Sequence, residues 1–418
     1  MSTLSTMAMA GLPGLVVLAV AADQLGKQAG LGFSGRLALG GAFGFGVFAF
    51  LIKIALVFQV GLPNPLSVTT ARAAGPRVAQ VRTIRAADAE AEPRARPWRA
   101  LPAAMPEPVG NRSSPQKIAL GRKLFFDTRL SADGSVSCAS CHDLARGGDD
   151  GARVSTGIGG LMGNRNAPSV LNAAFLTRLF WDGRAASLEE QAKGPLTNPV
   201  EMAMPSHRAV EAVVNDAPDY RRLFAAAFDT CAITIDTIVA AIAAYERSLV
   251  SAETPYDRFA RGDDDALTVQ QQRGMALFDA NGCRNCHVDP TFSSAGAFNP
   301  SGVYRTFPVF PDNAYVANYG LLVDGKPRVW RVPSLRNVAV TAPYFHNGAV
   351  NDLEEAIRIM AVSQLNKVLS DKGGDDLLVT VGGTRGGRTL IATPNRALSR
   401  SEISDIAAFL ESLTSPPL

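Results

Sequence analysis

The chain has 418 residues, 47% of them hydrophobic and 19% charged, and its net charge is +3. That length allows two or three domains with sizeable cores. The near-neutral balance, with no Lys/Arg stripe interleaved with aromatics, argues against a nucleic-acid partner.

Two apolar runs stand at the N-terminus. Gly11–Ala22 is too short to span a bilayer, whereas Leu37–Leu62, broken only by Lys53 and Gln59, is long enough. Two readings stay open for residues 1–75. One is a retained membrane anchor with Lys27 and Arg36 on the cytoplasmic side. The other is an export signal cleaved near Ala71-Arg72-Ala73. The anchor is preferred, because residues 1–10 lack the Lys or Arg that opens a signal peptide. Either way the segment argues for export. Residues 76–111, rich in Ala, Arg, Pro and Glu, read as a tether.

The rest of the chain contains one unit twice. Gly121-Arg-Lys-Leu124-Phe125 leads towards Cys138, and Gly274-Met-Ala-Leu277-Phe278 leads towards Cys283. Each copy closes on a similar helix, Ile242-Ala-Ala-Tyr245 through Leu249 and Ile406-Ala-Ala-Phe409 through Leu413. Apolar positions 238, 242, 245 and 249 share one face, as do 403, 406, 409, 410 and 413. Between the helices, 147–168 and 290–333 are rich in Gly, Pro and Asn and read as long loops. Loops of that length need something else to organise them.

Cysteine placement supplies the organiser. Four of the five cysteines lie in two Cys-x-x-Cys-His strings, Cys138/Cys141/His142 and Cys283/Cys286/His287. Two thiols so spaced reach both vinyl groups of a haem, and the histidine after them reaches the iron. Zinc would need two such pairs close together, and here they lie in separate copies. The expected fold is therefore mostly α and loop-rich: two tandem cytochrome c-like domains, each organised around a covalently bound haem. Their expected bounds are 112–258 and 259–418. Such attachment takes place outside the cytoplasm, in agreement with the N-terminus. Cys231 is left over and reads as a buried or half-buried thiol. Of the four histidines, His207 and His346 remain beyond the two strings; His207 reads as exposed, at the start of a helix.

Several strings resemble those of the bacterial di-haem cytochrome c peroxidases. They are Phe125-Phe-Asp-Thr-Arg-Leu-Ser131, Arg165-Asn-Ala-Pro-Ser169, Phe180-Trp-Asp-Gly-Arg-Ala185, Gln191-Ala-Lys-Gly-Pro195, Asn198-Pro-Val-Glu-Met202 and Thr341-Ala-Pro-Tyr-Phe-His346. The resemblance spans about 112–413. It implies an N-terminal haem on His142 that meets peroxide and a C-terminal haem on His287 that takes electrons from a small donor protein, a cytochrome c or a cupredoxin. It also implies Trp181 as a relay between the haems and Glu201 as the acid–base carboxylate, with Gln191 beside it. Met360 would be the axial ligand of the second haem. On pattern alone Met360 reads as core, on a helix capped by Asn351 and Glu354 that presents Leu353, Ala356, Ile357 and Met360 together. A calcium ion between the domains would be held by the Asn166 side chain and the carbonyls of Thr341 and Pro343. His346, in the matching loop, would be a structural hydrogen-bonder.

One position departs from the pattern. Many members carry a histidine sixteen residues after the first proximal one; here it is Ile158. The related methylamine dehydrogenase maturation enzyme also keeps an open peroxide haem, but carries tyrosine, not methionine, on its second haem. The leading expectation is a periplasmic, membrane-anchored peroxidase that reduces hydrogen peroxide, with a homodimer as a further expectation. Peroxide-driven oxidation of a protein or organic substrate is the alternative, and a plain electron carrier the third reading.

Overall fold

Ser114 and Pro115 start the first helix. The serine hydroxyl accepts from the Lys117 N–H, and proline gives up no bond at a position without an intrahelical partner. The computed structural model describes residues 97–417, apart from 105–106, 229, 231, 300–301, 372–377, 380–393 and 396. The expectations for residues 1–75 and for Cys231 lie outside the described residues. Among the described residues no helix is long and apolar enough to cross a membrane.

In chain order the first half holds α1 (Pro115–Phe125), α2 (Cys138–Cys141), α3 (Leu188–Thr197), α4 (His207–Asp216), α5 (Pro218–Ala227) and α6 (Ile235–Ser248). The second holds α7 (Pro255–Ala260), α8 (Val269–Ala280), β1 (Tyr304–Phe307), α9 (Ala314–Asn318), β2 (Arg328–Arg331), α10 (Leu353–Ser363) and α11 (Arg400–Glu411). The order of helix, string, loops and closing helix occurs twice, in a mostly α, loop-rich fold. The stretch 290–333, expected to be loop, contains the antiparallel pair β1–β2, with Tyr304 opposite Arg331 and Phe307 opposite Arg328. Four-residue strands are too short to show the alternation that reveals a strand in sequence.

The repeated glycines mark the helix crossings. A Cβ on Gly121 of α1 would lie 1.9 Å from the Ala241 carbonyl oxygen and 2.9 Å from Tyr245 Cβ on α6. A Cβ on Gly274 of α8 would lie 1.8 Å from the Asp405 carbonyl oxygen and 2.9 Å from Phe409 Cβ on α11. Only glycine permits such an approach. Beside each crossing lies a core. In the first, Leu120, Leu124 and Phe125 meet Ile238, Ile242 and Tyr245. In the second, Tyr256, Phe278, Phe292 and Phe409 pack edge to face. Helix α7 spans the boundary placed at 258, and its Tyr256 belongs to this second core.

The described end of the stretch read as a tether is a docked strap. Trp98 packs against Tyr256, Phe292 and Phe409. The Arg99 N–H donates to Asp289 at 2.9 Å and the Leu101 N–H to Asp257 at 2.8 Å. Asn111 then reaches the first half, donating to the Ala240 carbonyl at 2.9 Å. Two apolar anchors, Trp98 and Leu101, decide the matter against the polar average of the segment. Gly121→Ala or Gly274→Ala is expected to force its helix pair apart and destabilise the holoprotein by at least about 1–3 kcal/mol. Guanidinium denaturation measures this, and an unchanged midpoint would contradict the close crossing.

Candidate functional site

Each string ends on a histidine whose ring is already oriented. In the first, the single turn α2 carries Cys138 and Cys141 one above the other, and His142 ends it. His142 Nδ1 lies 3.2 Å from the Gly148 carbonyl, and Gly147 and Gly148 make the return with φ of 86° and 82°. In the second, Cys283–Asn285 forms a tight turn, and His287 Nδ1 lies 3.1 Å from the Phe292 carbonyl. A carbonyl on Nδ1 holds the proton there and leaves Nε2 free to ligate. Burial lowers the pKa of both rings, that of His287 to about 4, and so keeps them neutral. Burial also pushes the Cys138 and Cys283 thiols up to about 12. None of the four sulfurs is in a disulfide.

One large cavity with mostly apolar walls opens beside the second string. Cys283, Cys286 and His287 line it together with Leu353, Ala356, Ile357 and Met360 of α10. The expected helix face is therefore the cavity wall, although the N-cap is Asp352, whose carboxylate accepts from the Glu355 N–H, and not Asn351. Trp181 lines the same cavity. It comes from the Phe180–Ala185 loop of the first half and packs against Trp330 and His346 of the second. Two thiols, a neutral imidazole and a thioether on an apolar wall fit a c-type haem.

A sequence profile of the di-haem cytochrome c peroxidases matches residues 115–265. The Methylorubrum extorquens methylamine utilization protein MauG is 36% identical over 325 residues, 76% of this chain and 83% of that one. The chain belongs to the di-haem cytochrome c peroxidase family. The Escherichia coli cytochrome c peroxidase Ccp is 38% identical over 293 residues, 70% of this chain but only 61% of that longer one. Among solved structures, a MauG-like protein associated with microbial copper homeostasis superimposes with a TM-score of 0.59 at 31% identity, covering 75% of this chain and 95% of that one. Membership in a di-haem family implies two haem cofactors, one for each string.

Glu201 stands close enough to the first string for its charge to act on the Cys141 thiol. This residue follows α3, and its Oε1 accepts from Asn198 Nδ2 at 2.6 Å. Burial raises its pKa above the ordinary carboxylate range, against a smaller opposing effect of Arg184 and Asn198. The loop from Ser155 to Ile158 joins this carboxylate to the string. The Ser155 hydroxyl lowers the pKa of the Cys141 thiol against the effect of burial, and the Ile158 N–H donates to the Glu201 carbonyl at 2.9 Å. Gly157 permits this contact, since a Cβ there would lie 2.1 Å from the Val200 carbonyl oxygen. Gln191 is half-buried on α3, the helix that leads to Glu201, and does not line the large cavity.

Asn166, Thr341 and Pro343 line that cavity together. Asn166 Nδ2 donates to the Ala152 carbonyl at 3.0 Å, and no described donor reaches its Oδ1. Asp149 also lines the cavity, and its buried Oδ1 has no hydrogen-bond partner among the described residues. Among the described residues no three His, Cys, Asp or Glu side chains gather to hold a metal. A cation here would rest on carbonyl oxygens and one carboxylate, a donor set that fits calcium.

His346 bonds through its backbone, whose carbonyl accepts the Asn166 N–H at 3.0 Å. Its ring stacks on Trp330 with centroids 4.6 Å apart. His207, expected to be exposed, is half-buried with Nε2 3.1 Å from the Lys193 carbonyl. Asp149, Trp330 and Arg331 were missed by sequence reasoning. For Arg331 the signal was a charge set in apolar sequence, Val329-Trp-Arg-Val332, whereas Asp149, in the string Gly147-Gly-Asp-Asp-Gly151, gave none.

Proposed function

We propose that this chain is a periplasmic peroxidase that reduces hydrogen peroxide to two waters, using two protons and two electrons from a small cytochrome or cupredoxin. The observation that carries the reading is the asymmetry of the two strings. The first has a half-buried carboxylate, Glu201, beside it, and the second shares its cavity with a thioether, Met360. In this reading His142 and His287 would each hold a haem iron, and Met360 would be a further ligand at the electron-transfer site. A methionine ligand raises the potential there, which suits a site that accepts electrons.

Bound haem iron supplies the redox chemistry that breaks the O–O bond. Glu201 takes the proton from one peroxide oxygen and returns it to the other, which leaves as water. The Asn198 bond holds the carboxylate in place for this transfer, and burial sets its pKa closer to working pH. Gln191 orients peroxide beside it. Trp181, packed against Trp330 and His346 of the second half, is suited to carry electrons between the halves. Ile158 has its N–H committed to Glu201 and a side chain that cannot ligate iron, so the peroxide side is open even in the fully oxidised protein.

That open side, together with the MauG relative, supports a second reading, in which peroxide oxidises a protein or organic substrate. Met360 favours the first, because the maturation enzyme carries tyrosine at the second haem. We also propose that Asn166, Thr341 and Pro343 hold calcium, and that residues 1–75 carry the chain out of the cytoplasm.

Turnover of peroxide with a reduced small cytochrome tests the main reading. Fully oxidised and half-reduced enzyme should start at once and at equal rates. Absence of turnover with both haems attached would overturn donor-fed peroxide reduction. The ionised form of Glu201 is the active base. Activity should therefore rise with pH through a midpoint above the usual carboxylate range, and Glu201→Gln should cost about 10²–10⁴-fold in kcat/KM. In the oxidised protein, electron paramagnetic resonance should find a high-spin or water-bound iron on His142; a bis-histidine low-spin signal there would exclude the open site. Elemental analysis should find calcium in the purified protein and less in Asn166→Ala, and equal content in both would remove the assignment.

A further inference from the structure

Among the described residues, buried arginines follow a rule with one exception. Arg336 pairs with Asp257 at 2.7 Å, Arg284 with Asp289 at 2.8 Å and Arg247 with Glu189 at 3.0 Å. Arg331 is equally buried, at 3% exposure, yet no described carboxylate pairs with it. Its Nε donates to the Phe180 carbonyl at 2.9 Å, and an Nη reaches the Val332 carbonyl at the long distance of 3.4 Å. A guanidinium stays charged in proteins, and burying it without a counter-charge costs several kcal/mol. Burial lowers its pKa, to about 10, with no acid to oppose the shift.

The residue before it repeats the anomaly. Trp330 Nε1 is buried and meets no acceptor among the described residues, although a buried indole N–H ordinarily finds one. Both side chains line the cavity that also holds Cys283, Cys286, His287 and Met360. A guanidinium without a described counter-charge and an indole N–H without a described acceptor stand at the wall of a mostly apolar chamber. They call for an anion that enters with an apolar body. Inorganic ions would not seek such walls, whereas haem carries two carboxylates on an apolar ring.

We propose that Arg331, with Trp330 Nε1 beside it, receives a propionate of the haem attached at Cys283 and Cys286. The inference rests on the di-haem reading and extends it to an anchor that no signature string contains. The anchor is tied to the Trp181 loop. The Arg331 N–H donates to the Trp181 carbonyl at 2.9 Å, and its guanidinium to the carbonyl of Phe180. One residue thus fixes the edge of the second haem and the backbone that carries the tryptophan between the halves. A cation on the propionate also stabilises the reduced haem, which carries one positive charge fewer, and so raises the potential of the electron-accepting site.

Spectroelectrochemical titration of the holoenzyme between pH 5 and 8 tests this, after pyridine haemochrome analysis has counted the haems. In the wild type the propionate stays ionised, and the potential of the His287 haem should be nearly independent of pH. Arg331→Gln should lower that potential and make it fall as pH rises, because the propionate then titrates in this range. Arg331→Lys should restore most of the wild-type value. Trp330→Phe should give a smaller shift in the same direction, and stands as the test if Arg331→Gln does not retain its haem. A potential unchanged in both Arg331→Gln and Trp330→Phe, with two haems attached, overturns the anchor. So does a shift in Arg331→Gln that Arg331→Lys fails to reverse, since packing alone would then explain it. Fewer than two haems in the wild type would instead refute the di-haem reading on which the anchor rests.

Discussion

Backbone laid directly on backbone at Gly121 and Gly274 is the contact on which both halves depend. At each crossing the opening helix meets the closing helix without an intervening layer of side chains. The apolar mass moves to either side of the contact, onto Phe125 and Tyr245 in one half and Phe278 and Phe409 in the other. Two crossed helices with so little between them cannot enclose the loops that follow. Those loops instead bring the Gly148 and Phe292 carbonyls onto the two histidines, and beside the second string they leave a large cavity. The fold is thus a frame that its own side chains do not complete.

Duplication of that frame permits its halves to diverge. Nothing in the helix crossing dictates what stands opposite each histidine, so one string can acquire a carboxylate and the other a thioether. What prevents independent drift is the seam. Trp181 leaves the first half to pack on Trp330 and His346, while the β2 backbone bonds to the Trp181 carbonyl. Another seam runs from Phe175 and Thr177 to Ala297 and Ala295. Aromatic stacking and short backbone ladders connect the two halves.

Much of this was legible in the sequence because covalent chemistry and periodicity leave local marks. Cys-x-x-Cys-His states its own spacing, and the matched glycines and closing helices stand at corresponding places in both copies. The face containing Met360 could be read from helical periodicity, although its cap shifted by one residue to Asp352, since two adjacent side chains both accept hydrogen bonds well. Other features stayed hidden because their cause is not local. A Pro- and Arg-rich stretch gives no hint that Trp98 will find an aromatic cluster built from residues far along the chain. Asp149 and Arg331 look like ordinary charges until burial removes their water. The β1–β2 pair depends on partners separated by a long intervening loop.

The strap orders events in time. Trp98, Arg99 and Leu101 come before the first half in sequence but bind residues of the second, across separations of 190 positions for Arg99 to Asp289 and 156 for Leu101 to Asp257. Their binding site does not exist until the C-terminal half has been synthesised, and closing so long a loop is slow. Trp98 also lies 3.7 Å beneath the guanidinium of Arg284, inside the second Cys-x-x-Cys-His string. Docked, the strap lays the Trp98 indole on a residue between the two cysteines of that string, and it can do so only once the C-terminal half is present.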